Sequence, residues 1–151
     1  MTILGNYTLH TKLGKGSFAN VYRATSNTNG EEYAVKVISI EKLGTDPRLH
    51  QNLTSEIEIM RDYNHEGICR LYEHFSTPKH INLVIEFCAG GDLQKFIKKH
   101  SRLSNNTTKY FIKQLALGLR FLHQKNIIHR DIKSQVISIY FIFFLFTHKI
   151  K

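Results

Sequence analysis

At 151 residues, with 42% hydrophobic and 22% charged side chains, the chain has room for one domain with a real core and too little for two. Two distant cysteines, Cys69 and Cys88, suggest neither a disulfide framework nor a metal site and point to a reducing, cytoplasmic setting. The net charge of +9 is concentrated between Lys95 and Lys133, where ten Lys or Arg meet one acid, Asp131, so the remainder is neutral. Such a surface suits nucleic acid, an anionic membrane or an acidic partner. Without interleaved stacking aromatics it reads as a solvated helix face, and no nucleic acid is expected. The N-terminus lacks the charged-then-apolar pattern of a signal peptide.

Tyr7 to Leu13 alternates apolar and polar residues, as a half-buried strand does. A glycine loop follows, Gly14-Lys15-Gly16-Ser17-Phe18-Ala19-Asn20-Val21, and runs into a second strand, Val21 to Ala24. Asn27 to Gly30 reads as a turn and Tyr33 to Ile38 as a third strand. Glycine in such a loop lets backbone N–H groups approach phosphate oxygens. A Walker-type loop would need Gly-Lys-Ser/Thr opening a helix. A dinucleotide fingerprint fits Gly14, Gly16 and Ala19 on paper but also demands a helix directly after. The hairpin context favours a flap closing over a nucleotide.

Lys36 lies among Ala34, Val35, Val37 and Ile38, where alternation turns it toward an apolar face that demands an anionic partner. Asp46-Pro47 has helix-start chemistry, and Leu53, Ile57 and Met60 recur at helical spacing toward Tyr63. Glu56 borders that stripe, so a Lys36–Glu56 pair is expected. Strands from Ile68 to Phe75 and from Ile81 to Phe87 bring the count to five, an antiparallel sheet with one main helix. Cys88-Ala89-Gly90-Gly91-Asp92 breaks the composition and reads as a hinge. Beyond it Asp92 caps a short helix through Lys99, and Ser104 caps a longer one to about Gln124. Phe111, Leu115, Leu119 and Leu122 form the apolar stripe of the second helix, with Lys109, Lys113 and Arg120 outside it. Ile127-Ile128-His129-Arg130-Asp131-Ile132-Lys133 then sets one carboxylate between two cations. A buried apolar pair would pin this loop, leaving Asp131 to accept a hydroxyl proton while Lys133 steadies negative charge.

These motifs, in this order, resemble the first half of a protein kinase over roughly residues 7 to 135. The resemblance implies an α+β fold: a complete antiparallel small lobe over 1–87, a hinge and partial helical lobe over 88–135, and an atypical hydrophobic tail over 136–151. It implies ATP as cofactor. Gly14 to Val21, with Gly16, would cover the phosphates, and Lys36 would hold them while paired with Glu56. Leu13, Val21 and Ala34 would sandwich the adenine, with Ile85 behind it, Glu86 and Cys88 offering hinge backbone and Asp92 meeting the ribose. Asp131 would be the catalytic base and Lys133 the companion typical of serine/threonine kinases. The run from Phe87 to Leu93 and the stretch from Gln114 to Asp131 look like the autophagy-initiating kinases, while the flap is also similar to centriole-duplication kinases of the polo-like group. A protein substrate and regulatory protein partners are implied.

The sequence also departs from that pattern. Ala19 replaces the third flap glycine, Ser134 a usual proline, and Val136 the asparagine that would ligate Mg²⁺; no Asp-Phe-Gly follows. With its metal site incomplete the chain is expected to be catalytically silent, and a non-catalytic nucleotide-binding or regulatory fragment is the alternative. The run from Val136 to Phe146 is too short for a membrane anchor, since a spanning helix needs about 20 residues. It reads instead as a buried strand, an aggregation-prone segment, or the product of a truncated or misread gene.

Overall fold

The computed structural model describes residues 2–135, 137 and 148–149. They divide into two units, Met1–His50 with Arg70–Phe87 and Gln51–Cys69 with Cys88–Lys151.

The first unit is a six-stranded antiparallel sheet. Its strands are β1 (Thr2–Leu4), β2 (Tyr7–Lys15), β3 (Ala19–Ser26), β4 (Glu32–Ser39), β5 (Leu71–Ser76) and β6 (His80–Glu86), in the order β1-β2-β3-β4-β6-β5. Side chains alternate across a strand, so β4 turns Tyr33, Val35 and Val37 to one face and Ala34, Lys36 and Ile38 to the other. The first face carries the core: Tyr7, Leu9, Ala24, Tyr33, Val35 and Val84 are buried together, with Phe75 and Tyr22 against them. Tyr33 stands edge-on to Tyr7 at 5.7 Å and to Tyr72 at 4.9 Å, the favoured geometry for aromatic quadrupoles. Ser26 closes the expected Asn27–Gly30 turn by accepting from the Thr28 and Asn29 amides. Gly30 takes the positive φ of 73° that such a turn reserves for glycine.

Five strands are expected from the sequence; the structure adds β1, three residues and too short to show alternation. It reaches β2 through Gly5 at φ 57°, where an added Cβ would come within 3.2 Å of the Phe75 ring. The strand expected from Ile68 begins only at Leu71, because Ile68 is buried in the core of the other unit.

Two helices follow β4: α1 (Ile40–Leu43) and α2 (Pro47–Asp62), where Asp46 Oδ1 accepts the Arg48 amide at 2.9 Å as a cap should. In the second unit stand α3 (Leu93–His100) and α4 (Asn105–Gln124). Asp92 and Ser104 cap them as expected, accepting from the Lys95 and Thr107 amides at 2.8 and 3.1 Å. The Leu93 and Gln94 amides, orphans of a first helical turn, donate to the carbonyls of Ile137 and Ser134. Ile59, Ile68, Leu122, Ile127 and Ile137 form this unit's core, and Leu115, Leu119, Tyr63 and Phe121 pack on it. Phe111 meets Phe96 of α3 edge-on at 5.9 Å, while Lys109, Lys113 and Arg120 are exposed, as the stripe requires. A two-residue pair, β7 (Ile127–Ile128) with β8 (His148–Lys149), is antiparallel. Apart from Ile137, the hydrophobic run 136–146 lies outside the described residues. Among the described residues no helix is long and apolar enough to cross a membrane.

A glycine inside a helix costs roughly 0.5–1 kcal/mol relative to alanine, and Gly118 sits in the interior of α4. Its Cα lies 2.9 Å from where a Cβ on Gly67 would stand, so backbone meets backbone at this crossing. Gly67→Ala therefore overpacks a site that cannot yield by a rotamer change. The expected loss is about 1–3 kcal/mol, read from urea denaturation; a loss under about 0.5 kcal/mol would show that the 65–67 loop simply moves aside.

Candidate active site

The register of the sheet places the residues expected to hold a nucleotide. Gly14 opposes Val21, Val21 opposes Lys36, and Lys36 opposes Leu83, while Ala34 opposes Ile85. Directly opposed residues share a face. Val21, Ala34, Lys36 and Ile85 therefore line the sheet surface opposite the aromatic core. Lys36 is 6% exposed there, and Ala34 and Ile85 are buried as well. Glu86 opposes Tyr33 and so faces the other way; its amide donates to Arg70 O at 3.0 Å. Leu13 lies between two register shifts of β2 and is half-exposed, so pairing does not fix its direction.

The glycine loop is strand–turn–strand. β2 and β3 stay paired out to Lys15 and Asn20, and the Gly16 amide closes the tip on Ala19 O at 2.8 Å. No helix follows, so the helix-dependent readings of this loop fall away. The Phe18 carbonyl accepts from Ser39 N at 2.9 Å, tying the flap to the end of β4. A Cβ on Gly14 would meet nothing within 4 Å, so the space beside it is open to an approaching oxygen. A separate recess bounded by Phe18, Asn20, Val37, Lys42 and His80 lies at the flap's other side. Asn20 and Val37 are paired and share the face of Val35, so this recess is distinct from the Lys36 face.

Glu56, Cys88, Asp92, Asp131 and Lys133 fall in the second unit. Glu56 is 5% exposed on α2, a burial that carboxylates rarely tolerate without a partner. Asp92 spends its carboxylate on the α3 cap and on Lys95 Nζ at 3.1 Å. The Cys88 carbonyl accepts the Gly91 amide.

The loop after α4 is pinned differently from expectation. Ile127 is buried, but Ile128 is 43% exposed, because consecutive extended residues point to opposite sides. The second pin is His129, 3% exposed, whose Nδ1 accepts the Asp131 amide at 3.1 Å. That bond leaves the remaining proton of the neutral ring on Nε2. Arg130 takes φ 67°, turning the chain so that the Asp131 carboxylate emerges beside Lys133, whose Nζ lies 2.9 and 2.7 Å from its two oxygens. Sequence reasoning assigned His129 no role; its one signal was a polar ring between an apolar pair and the acid.

The residues present do not fit a Mg²⁺ site. Position 136 is valine, and among the described residues no group of three or more His, Cys, Asp or Glu could hold a metal.

Burial holds the His129 imidazole down to about 4; the Asp131 charge opposes this and Lys133 adds to it. An unfolded histidine titrates near 6.5, so the unfolded chain binds the extra proton first as pH falls. Stability linked to His129 is whole above pH 6.5 and is lost between about 6.5 and 4, by at most about 3 kcal/mol. His129→Gln is expected to flatten this part of the urea-stability profile relative to the parent. Parallel profiles would show that the ring does not govern the acid response.

The protein kinase domain family matches residues 7–140. Among curated relatives, the chain is 40% identical over 139 residues to serine/threonine-protein kinase atg1 of Dictyostelium discoideum, covering 89% of this chain and 21% of that protein. It is 42% identical over 133 residues to serine/threonine-protein kinase ATG1a of Arabidopsis thaliana, covering 88% and 21%, and 40% identical to ATG1c of the same plant. The chain thus spans about a fifth of the length of these relatives. The flap hairpin, the lysine-bearing sheet face and the His-Arg-Asp loop agree with a family match over most of the sequence: the chain belongs to the protein kinase domain family.

Proposed function

We propose that this chain is the nucleotide-gripping part of an ATP-dependent protein serine/threonine kinase that acts in autophagy initiation, as the names of its relatives suggest. The observation that carries the reading is the face shared by Val21, Ala34, Lys36 and Ile85, apolar but for one buried lysine, in a sheet that runs on into a glycine hairpin with open space at Gly14. On this reading Val21, Ala34, Leu13 and Ile85 hold the adenine, with backbone groups of Glu86 and Cys88 at its edge and Asp92 toward the ribose. Lys36 binds the phosphates, with Glu56 as the partner that the family pattern implies for it. ATP supplies the transferable γ-phosphoryl group. Asp131, set by His129 and Arg130, takes the proton of a protein serine or threonine hydroxyl, and Lys133 balances charge beside it. The protein substrate and the regulatory partners follow from the same reading and are unidentified.

Phosphoryl transfer depends almost wholly on positioning and charge stabilisation. Each lost stabiliser costs about two to three orders of magnitude in rate, and these 151 residues lack both metal-binding positions. The chain as it stands therefore binds nucleotide without turning it over. Titrating ATP into the purified 151-residue chain should raise its melting temperature, and Lys36→Ala should weaken the apparent affinity at least tenfold. Asp131→Asn should leave binding within about twofold, and radiolabelled ATP should transfer no phosphate to a generic protein substrate. Binding indifferent to Lys36 would sink the nucleotide reading; transfer that Asp131→Asn abolishes would sink the claim of silence.

A further inference from the structure

From Leu93 to Arg130 the second unit contains nine Lys or Arg and no Asp or Glu. Two of the nine are used by the fold: Lys95 pairs with Asp92, and Lys125 covers the Tyr63 and Phe121 rings at 5.9 and 5.8 Å. Lys98 and Lys99 lie in the last turn of α3, where positive charge suits the helix dipole. Lys109, Lys113 and Arg120 have no such explanation. All three are exposed and make no ion pair among the described residues. Lys109 lies in the second turn of α4, whose first turn holds no acid that could pair with it.

At 100° per residue, Lys109, Lys113, Ala116 and Arg120 fall within an arc of about 60°, a continuous stripe about 16 Å long. Ile112 and Tyr110, 58% and 56% exposed, flank it on opposite sides. These two residues lie about 160° apart around the axis. They do not make the single apolar plane that insertion into a bilayer surface needs. Nor does one exposed tyrosine make a stacking platform for successive bases. A central basic line with an apolar shoulder on each side instead suits one extended strand of polypeptide. Its carboxylates would lie along the stripe and its apolar side chains over Ile112 and Tyr110. At about 3.3 Å per residue, about five residues span the stripe.

We infer that the outer face of α4 is a docking surface for a short, extended, Asp/Glu-rich peptide segment of a partner protein. This inference stands on the second unit alone and does not depend on the nucleotide reading. The probe is a fluorescein-labelled Glu-Leu-Glu-Glu-Leu-Glu peptide, followed by fluorescence anisotropy against the 151-residue chain. The peptide is expected to bind, to weaken steeply from 50 to 500 mM salt, and to lose at least tenfold in affinity in the Lys109→Glu/Lys113→Glu double variant. Lys109→Arg/Lys113→Arg should retain binding within about threefold, and Lys79→Glu, an exposed lysine of the first unit, within about twofold. Circular dichroism melting of each variant separates lost binding from lost folding, and the arginine variant supplies the comparison should the reversal unfold. No binding, or binding indifferent to the double reversal, overturns the inference. So does a single-stranded oligonucleotide or a phosphatidylserine vesicle binding the stripe more tightly than the peptide.

Discussion

The structure turns on a buried cation. β4 carries an almost unbroken apolar run, and two-residue alternation commits Lys36 to the face of Ala34 and Ile38. There it is removed from water opposite Val21 on one side and Leu83 on the other. A lysine in such a place is tolerated where an anion or a hydrogen-bond acceptor stands close to it. The aromatic core packs the opposite surface, and on this one Ala34, Lys36, Leu83 and Ile85 are buried as well. The flap is anchored at Ser39, the last residue of the strand that holds the lysine.

In the second unit, the loop after α4 holds a partly covered carboxylate in a fixed position. Asp131 is only partly covered and carries its own counter-ion, Lys133. Its backbone is fixed by a group that cannot itself add charge near neutrality, because burial keeps the His129 ring uncharged. A neutral ring accepting the Asp131 amide fixes the geometry of the loop without adding charge beside the carboxylate.

Local chemistry made most of this readable beforehand. Strand alternation, the Asp46, Asp92 and Ser104 caps, and the stripe of α4 all depend on residues within a few positions of one another. The family pattern added an ordering that no single motif supplied. What escaped depends on partners far away in sequence. β1 is a strand because β2 offers an edge, and Ile68 left the sheet because α4 and Ile59 offered a better-packed home. The burial of His129 in place of Ile128 follows from the direction in which Ile127 enters the core, which an apolar pair read in isolation cannot reveal.

Of the two lysine-bearing surfaces, only one is constrained by the fold. Lys36 is buried, and its position is fixed by paired strands on both sides. Any substitution there disturbs packing as well as charge. Lys109 and Lys113 touch no carboxylate among the described residues and lie on solvent, so their charge can be removed at little structural cost. A chain under no demand for positive charge on α4 would gain by placing Asp or Glu in its first turn, where the dipole rewards acids. The sequence leaves that turn uncharged, Asn105-Asn106-Thr107-Thr108, and places its bases beyond it.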